Sequence, residues 1–462
     1  MHSFRRITAA TLSFVFITAS CGSDSKSSTS STSDKTTVTT ASTSSSTVTT
    51  ASTTSSGGST ASTASTTATI GTTATTGTTA ASGTTPAASG GSTPTGSPIV
   101  IGLDEDSTGP GASYSTIAGK TIRDAIDEVN TKGGILGRPV KLIVENDESD
   151  PTKTPSVIRK LLDGGAQVLI LQSAGAAIVQ GKPVIQEAKT IAIAPTSISQ
   201  TVALAPDADY TYILANPISD FIKVYCGAFK AAGIKTLGLL SDASAVIDGV
   251  NKLLLPGLTQ CVKVVANEKA PVDTSDLNAQ VARVKDAKPD AVLVSSVGGN
   301  FEVLAQNTLF EQMPDVTRFS LASIGNQPDS WKLANPGALQ GLIYMASINP
   351  SNPRTQELQS FLKPKRDGNW QLTAYDAQAY DTIQLIKLAI EKAGSTDKDA
   401  LLKAMNSISG YKPHFGQEAF TLSYSADKHV GTDGLCGLSL VQFGSNNTPD
   451  KPWATYQPPC GS

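Results

Sequence analysis

The sequence has few of the residues and motifs on which enzymes depend. It contains 3 histidines in 462 residues, and His414 and His429 are the two that lie outside the N-terminal region. It has no GxSxG, HExxH or Walker motif, and no cysteine and histidine with the spacing of a catalytic pair. We therefore expect a binding protein rather than an enzyme, with no cofactor, and we expect His429 to make a structural hydrogen bond.

Basic patches and metal-binding patterns are also missing. The formal net charge is −3, and no cluster of lysine and arginine indicates a nucleic-acid partner. There is no CxxC pair, and the two histidines lie far from any paired cysteines, which excludes the common zinc patterns. We expect neither a metal nor a nucleic acid to bind.

Large apolar residues are nearly absent from residues 22–97, which are almost entirely Ser, Thr, Ala and Gly. Such a composition cannot bury enough apolar surface to fold. Residues 21–97 are therefore expected to be a disordered tether. With roughly 75 residues it has a root-mean-square reach of about 45 to 50 Å. An O-glycosylated stretch and a plain spacer explain this composition equally well.

The N-terminal apolar run is too short to span a membrane. Arg5 and Arg6 precede the apolar residues 7–17, and the small residues 18–20 lead to Cys21. This is the layout of a secretory signal peptide, here residues 1–20. The arrangement resembles the lipobox of bacterial lipoproteins, although it has threonine where leucine is usual. The resemblance implies a diacylglyceryl group on Cys21 and a lipid anchor at the outer face of the cell membrane. The alternative is a plain signal peptide with a chance cysteine.

Four cysteines remain for the folded part of an exported protein, and an even number suits two disulfide bonds. Three pairings are possible. We favour the sequence neighbours, which are Cys226 with Cys261 and Cys436 with Cys460.

Strand and helix patterns alternate after residue 97. Short apolar β-type runs occur at 98–103, 139–146, 167–171 and 190–194, and helical patterns lie between them. A second series begins after Asn216, with strands at 236–240, 262–266 and 291–295. A further strand at 341–347 precedes two helices and a turn-rich tail. Alternation of this kind predicts parallel βαβ units. Because later segments are left over to complete both series, we predict an α/β fold of two interleaved, doubly wound βα lobes joined by several crossing strands.

Three stretches of the sequence resemble the branched-chain amino-acid (Leu/Ile/Val) binding proteins of ABC transporters. They are VIGLDEDSTGPGASY, DEVNTKGGILGRPVKLIVENDESDP and AYDAQAYDTIQLIKLAIEKAG. The resemblance covers most of residues 98–460 and implies the type I periplasmic-binding-protein fold. Gly133, Gly134 and Gly137 also have a structural reason, since they allow positive φ at a helix end and in a tight turn. We expect lobe 1 to comprise 98–215 and 346–408, and lobe 2 to comprise 216–345 and 409–462.

The resemblance implies ligand-binding positions in lobe 1. Tyr114 is the aromatic residue after the first TGP and should line the pocket, unless it packs at the lobe edge. Ser173, with the amides that begin at Ala174, should hold a ligand carboxylate at a helix N-terminus. Thr196 and Ser197 should contribute hydroxyls there, or else cap a helix or turn.

In lobe 2 the sequence departs from the amino-acid-binding pattern. The acidic residue that should hold an α-ammonium group is replaced by Ser323, and an expected tyrosine is replaced by Val246. Val246, Ser296 and Ser323 are still the lobe 2 residues expected to contact the ligand. Tyr375 should either cover the ligand or pack between lobes. An unpaired buried ammonium costs several kcal/mol, so the departures favour a carboxylate or amide without a free α-amino group.

Acidic residues near the cleft offer an alternative partner for an ammonium group. Asp104, Glu105 and Asp106 occupy a loop that is usually apolar in the family, and we expect them to be solvated at the cleft rim. Asp147 and Glu148 are likewise expected to be solvated turn residues.

The function implied by the resemblance is that of a lipid-anchored, extracytoplasmic substrate-binding protein that presents a small polar solute to an ABC-transporter permease. A hinge closing around the ligand suits a monomer. The alternative is a ligand-sensing receptor of the same fold that signals to a separate membrane protein.

Overall fold

The structure, a computed structural model, describes residues 93–368 and 370–460. The predicted signal peptide, the lipidation site Cys21 and the tether up to residue 92 lie outside the described residues. Within the described ranges, no helix combines the length and the apolar character needed to cross a membrane.

The first sheet consists of five parallel strands in the order β2-β1-β3-β4-β5. Helices follow the first three strands, as expected of βαβ units. The elements are β1 (Ile99–Asp104), α1 (Ala112–Thr131), β2 (Val140–Glu145), α2 (Thr154–Asp163), β3 (Val168–Leu171), α3 (Gly175–Ala188), β4 (Ala192–Ala194) and β5 (Thr211–Ile213). The sequence pattern predicts the first four strands and misses β5.

The second sheet has seven strands, which follow α4 (Ile218–Ala232) in the chain. Its order is β12-β11-β10-β9-β8-β6-β7, and β11 pairs antiparallel with both of its neighbours. The elements are β6 (Thr236–Asp242), α5 (Ala245–Leu258), β7 (Lys263–Ala270), α6 (Asn278–Asp286), β8 (Ala291–Ser295), α7 (Gly299–Gln312), β9 (Thr317–Ser320), α8 (Pro328–Trp331), β10 (Ile343–Ala346), β11 (Ser439–Phe443) and β12 (Pro449–Pro452). The predicted α/β class with parallel sheets is confirmed, although α7 and β9 are not anticipated by the sequence pattern.

Between β10 and β11 the chain returns to the first sheet. It forms three helices where the sequence predicts two: α9 (Pro353–Leu362), α10 (Ala374–Ala393) and α11 (Lys398–Met405). The apolar stripe of α10 is buried with α1 and β1 in one core, which includes Ile383, Ile386 and Ile390. The strands that follow α4 share a separate core. The chain therefore contributes to the first core from two distant stretches, as interleaved lobes require.

The exact lobe boundaries stay a prediction. The sequence predicts that residues 409–462 belong to lobe 2, yet Phe415, Phe420, Leu422 and Tyr424 are buried in the core of the first sheet. Their packing favours placing this stretch with lobe 1, while β11 and β12 complete the second sheet.

The GGILG turn between α1 and β2 adopts the conformation that its glycines permit. The φ angles are +101° at Gly133, +75° at Gly134 and +73° at Gly137. At Gly134 a Cβ atom would lie 2.0 Å from the carbonyl oxygen of Arg138. Both the left-handed backbone and this close approach therefore require glycine.

Both predicted disulfide bonds are formed. Cys226 of α4 pairs with Cys261, with a Cα–Cα distance of 5.6 Å, and Cys436 pairs with Cys460 at 4.8 Å. The first bond joins α4 to the turn before β7, and the second joins the C-terminal residues to the segment before β11. Loops of this size each contribute about 3 kcal/mol in the chain-entropy account.

Candidate ligand-binding site

A cavity lies where turns from the two sheets meet. The space open to the centre of a water molecule is about 100 Å³, several times the ~10 to 15 Å³ that one water needs. Its walls come from the segments that follow β3 and β4 in the first sheet and β6, β8 and β9 in the second. Open α/β sheets bind ligands at the carboxyl ends of their strands, so this is the expected position for a site.

Eight of the nine residues predicted from the sequence to bind ligand line this one cavity. The ninth, Ala174, is the residue before α3 and is buried beside the lining residue Gly175. The eight are Tyr114, Ser173, Thr196, Ser197, Val246, Ser296, Ser323 and Tyr375. Their contact with a ligand stays a prediction, but the fold brings them together from positions up to 261 residues apart (375 − 114).

Several further residues line the cavity that the sequence pattern does not indicate. Phe221 and Asn216 come from the start of α4, and Asn326 and Gln378 lie near Ser323 and Tyr375 in the chain. Asn216 closely follows β5, and because the sequence pattern misses this strand, it gives no reason to place Asn216 at a strand end. Nothing in the local sequence distinguishes Asn326 or Gln378 from ordinary polar residues.

Two helix starts position the side chains of the cavity wall. Ser244 caps α5 by accepting a hydrogen bond from the backbone of Ile247 at 3.3 Å, which places Val246 in the first turn. At α10 a capping box of Thr373 and Asp376 fixes the first turn, which carries Tyr375. These caps satisfy backbone N–H groups that a helix start otherwise leaves unpaired.

No charged side chain lines the cavity within the described part of the chain. The aromatic rings of Tyr114 and Tyr375 lie 5.9 Å apart between their centroids. Burial raises the pKa of Tyr375 to about 12, against hydrogen bonds with Ser323 and Asn326 that lower it. Burial also raises the pKa of Tyr114. Both phenols are therefore neutral hydrogen-bonding groups at physiological pH.

The hydroxyls on the first-sheet side differ in what they can offer a ligand. Ser173 Oγ donates to Asp147 Oδ2 at 2.7 Å, and Thr196 Oγ1 donates to Gln172 Oε1 at 2.9 Å. Each of these two protons is already used within the protein. Ser197 Oγ accepts from the backbone of Ser199 at 3.4 Å, and its own proton has no acceptor among residues 93–368 and 370–460. Ser197 is therefore the hydroxyl best able to donate to a bound carboxylate.

The backbone at the start of α3 adds further donors. No side chain caps this helix, and Gly175 and Ala176 of its first turn line the cavity. The first N–H groups of a helix carry partial positive charge and attract anions. This corner of the cavity, with Ser197 nearby, is suited to a carboxylate or amide oxygen.

On the second-sheet side one hydroxyl contacts a buried acid and another contacts a backbone carbonyl. Ser296 Oγ donates to the carboxyl group of Glu302, whose other oxygen accepts from Gln306 Nε2 at 2.9 Å. Burial raises the pKa of Glu302 to about 7, although the hydrogen bonds from Ser296 and Gln306 oppose the rise. Ser323 Oγ donates to the carbonyl oxygen of Ser296 at 2.9 Å. The position where the family pattern calls for an acid thus holds a neutral hydroxyl.

The acidic loop after β1 is not solvated, so that expectation is wrong. Asp104, Glu105 and Asp106 are all buried, and Asp147 is fully buried as well. Glu105 pairs with Arg123, whose Nη1 donates to Oε1 at 3.1 Å. Burial raises the pKa of Asp104 and raises that of Asp106 to about 8. None of these carboxylates lines the cavity, which leaves an ammonium group there without the predicted alternative partner.

Outside the cavity, the expectation for His429 is confirmed, and the expectation for the turn residues Asp147 and Glu148 is confirmed for only one of them. Glu148 is exposed, unlike its neighbour Asp147. His429 makes the structural hydrogen bond expected of it, with Nδ1 2.7 Å from the carbonyl oxygen of Ala208. The expectation that Asp147 and Glu148 are both solvated is therefore correct only for Glu148.

Most of the chain is similar in sequence to known binding proteins. The model of the periplasmic binding protein family matches residues 98–437. The Leu/Ile/Val-binding protein BraC3 of Rhizobium johnstonii is 25% identical over 319 residues, which are 66% of this chain and 83% of that protein. Leu/Ile/Val-binding protein homolog 3 of Brucella melitensis is 24% identical over 346 residues, covering 71% and 87% of the two chains.

Solved structures with the same fold include two proteins described as binding proteins. The leucine-binding protein LivK of Thermotoga maritima has a TM-score of 0.65 and 18% identity, covering 78% of this chain and 98% of its own. LivJ of Streptococcus pneumoniae, solved with isoleucine, has a TM-score of 0.65 and 18% identity, covering 78% and 99%. At this identity the likeness establishes the type I periplasmic-binding-protein fold.

Proposed function

Because the chain belongs to the periplasmic binding protein family, we propose that it captures a small organic solute and delivers it to the permease of an ABC transporter. The observation that carries the proposal is the cavity itself. Its lining includes polar turn residues from both sheets, and none of the described lining residues is charged. Closure of the two lobes around a ligand in this position would be a hinge motion, which a monomer can perform. The names of the relatives describe binding proteins, which agrees with a role that is not enzymatic.

The proposed ligand is a carboxylate or amide of amino-acid size without a free α-amino group. Relatives named for Leu/Ile/Val binding support the size and the apolar part. Ile198, Phe221 and Leu321 supply an apolar wall for it. What argues against an ammonium group is the lining, where Ser323 and Val246 lie and where none of the described residues offers a carboxylate to balance a positive charge. A ligand carboxylate would be held by Ser197 and the first amides of α3.

A thermal-shift panel of matched pairs tests this ligand class. Leucine is compared with isocaproate and isocaproamide, and phenylalanine with hydrocinnamate, using the full chain purified in mild detergent. A ligand at ~100 times its Kd adds about 2.7 kcal/mol, which for a folded region of this size raises Tm by about 3 to 4 °C. We expect that shift with a deaminated acid or amide and none with the parent amino acid.

The amino group is the single difference between leucine and isocaproate and between phenylalanine and hydrocinnamate, so each parent amino acid serves as the control for its acid. Isocaproamide differs from isocaproate only in its amide group and shows whether the ligand's carboxylate charge is needed. A shift with leucine and none with isocaproate would contradict the proposed ligand class. It would mean that a group other than residue 323 holds the ammonium.

We also propose that the protein is exported and anchored by lipid at Cys21. The support is the sequence layout alone, a signal-like segment followed by cysteine and the polar tether. The variant Cys21→Ser should move from the membrane pellet to the supernatant after cell fractionation, because one lost diacylglyceryl group removes the anchor. Mass spectrometry of the N-terminal peptide checks the acyl chains directly. Ser25→Ala is the matched control and should remain in the pellet; retention of Cys21→Ser there would contradict the anchor.

A further inference from the structure

Three carboxylates lie together behind the cavity wall. Asp104 ends β1, Asp106 lies in the loop that follows, and Asp147 follows β2, the neighbouring strand in the sheet. A carboxylate oxygen of each lies within 4.8 Å of one from each of the others, and all three residues are 0% exposed. The cluster therefore concentrates up to three negative charges in a place that bulk water does not reach.

Two of the three carboxylates are oriented by neutral hydrogen-bond donors. Asp106 Oδ2 accepts from Ser149 Oγ at 2.6 Å, and its Oδ1 accepts from the Ser149 backbone at 3.0 Å. Asp147 Oδ2 accepts from Thr154 Oγ1 at 2.6 Å and from Ser173 Oγ at 2.7 Å. Among the ion pairs of the described residues, none joins a lysine, arginine or histidine to any of the three. Their charge is thus solvated only by hydroxyls and amides.

Asp104 differs from the other two because both of its carboxylate oxygens are buried and accept no hydrogen bond from the described residues. A buried carboxylate without any donor costs far more than a hydrogen-bonded one. The carboxyl groups of Asp106 and Asp147 lie within 4.8 Å of it, and a carboxyl group can donate a hydrogen bond only when it is protonated. The unpartnered oxygens, enclosed beside two other carboxylates, are what a bound cation would explain.

We propose that Asp104, Asp106 and Asp147 together bind one divalent cation of the calcium class. All candidate ligand atoms are carboxylate oxygens, which hard cations prefer and which zinc sites with nitrogen or sulfur ligands do not resemble. Calcium accepts several oxygens in irregular geometry, including bidentate carboxylates, whereas magnesium retains waters that an enclosed site has little room for. The sequence-based expectation of no metal rests on cysteine and histidine patterns, and three carboxylates from segments distant in the chain form no such pattern.

The cation would connect three segments, of which the turn after β3 forms part of the cavity wall. It would join the loop after β1 to the turn after β2, and through Asp147 it would support Ser173 in the turn after β3. Ser149, Thr154 and Ser173 would keep the carboxylates oriented, as hydrogen-bond partners of ligating carboxylates do in other metal sites. The site is thus structural in this proposal and adjoins the solute cavity without being part of it.

Calcium binding to the full chain tests the proposal. The protein is purified with EGTA, desalted, and melted with and without added Ca²⁺, Mg²⁺ or Mn²⁺. We expect Ca²⁺ at ~100 times its Kd to raise Tm by about 3 to 4 °C, with a stoichiometry of one ion per chain by titration calorimetry and elemental analysis. A cluster that shares protons in place of a metal would give no shift with any of the three ions and no retained metal, which would overturn the proposal.

Variants locate the ion. Asp104→Asn should abolish the Ca²⁺ shift while folding normally in EGTA, because asparagine keeps the shape of the aspartate and places no charge in the enclosed cluster. Glu148→Gln, which neutralises an exposed carboxylate in the same turn, is the matched control and should retain the full shift. Asp106→Asn provides a second test if Asp104→Asn does not fold. A Ca²⁺ shift that persists in a folded Asp104→Asn or Asp106→Asn protein would show that the ion binds elsewhere and would equally overturn the proposal.

Discussion

The variant Ser323→Asp is expected to bind a carboxylate ligand about a thousandfold more weakly than the wild type. Ser323 lines the cavity, and its hydroxyl is held by the carbonyl of Ser296. A carboxylate at this position would face the ligand carboxylate in a cavity whose described lining has no cation. Like charges brought together in an enclosed site cost several kcal/mol, and ~4 kcal/mol corresponds to roughly a thousandfold change in Kd.

The same variant should gain affinity for the α-amino counterpart of the ligand. An ammonium group placed near residue 323 would then have the acidic partner that the wild-type cavity lacks, as the amino-acid-binding pattern of the family implies. Titration calorimetry with the most strongly bound acid from the ligand panel and with its amino-acid parent measures both changes. We expect the preference between the two compounds to reverse.

Ser323→Asn separates charge from size in this experiment. Asparagine has nearly the shape of aspartate and carries no charge, so we expect it to weaken carboxylate binding by less than about tenfold. Equal losses in Ser323→Asp and Ser323→Asn would attribute the effect to crowding and would contradict the electrostatic argument. Unchanged carboxylate binding in both folded variants would place the ligand away from residue 323.

Much of this site follows from the order of strands in the chain. Ser173, Thr196 and Ser296 each closely follow a strand that the sequence pattern predicts, and the carboxyl ends of parallel strands meet at one edge of a sheet. Ser323 follows β9, which the pattern misses, and only the family resemblance indicates it. Sequence spacing therefore predicts which turns approach the cavity. It does not predict hydrogen-bond partners, because Ser173 donates to Asp147, a residue from a different turn.

The elements missed in the second sheet contain polar residues in buried positions. Helix α7 buries Glu302 and Gln306, which bond to each other and interrupt its apolar periodicity. Strand β9 buries Arg318, whose Nη2 donates to the carbonyl of Gln340 at 2.8 Å. Neither segment has the apolar pattern on which sequence-based assignment depends.

The burial of the acidic cluster is also not visible in the local sequence. ENDESDP has the composition of a solvated turn, and that description holds for Glu148. Asp147 is buried because the loop after β1 and the turn after β3 cover it, and Asp106 and Ser173 come from those two segments. Burial set by three segments that are distant in the chain leaves no signal in any one of them.

The largest loss of stability is expected from replacing Asp381 by alanine. Asp381 of α10 is fully buried and contacts the segment that follows α11. It accepts from the Tyr411 hydroxyl at 2.7 Å and from the His414 backbone at 2.8 Å, and its Oδ1 lies 2.6 Å from His414 Nδ1. Asp381→Ala leaves these groups unpaired and should lower the free energy of unfolding by about 4 kcal/mol. Urea unfolding of the full chain followed by circular dichroism measures it.

Asp381→Asn and Asp399→Ala are the comparison variants. Asparagine keeps a hydrogen-bond acceptor but not the charge, so we expect about half the loss and a protein that still folds. Asp399 is exposed at the start of α11, and its replacement should change stability by less than ~0.5 kcal/mol. A loss for Asp381→Ala no larger than for Asp399→Ala would contradict the assigned role of the buried carboxylate.

The pH dependence of the loss distinguishes the ion pair from the neutral hydrogen bonds. Burial lowers the pKa of His414, but the charge of Asp381 and the hydrogen bond to it outweigh burial and raise the pKa above the usual 6.5. A histidine with a raised pKa in the folded state contributes stability that is full below its unfolded pKa and is lost as pH rises through its folded pKa. The loss caused by Asp381→Ala should therefore be greater at about pH 6 than at about pH 9. An equal loss at both pH values would mean that His414 is neutral in the folded protein and that Asp381 acts through its hydrogen bonds to Tyr411 and the backbone.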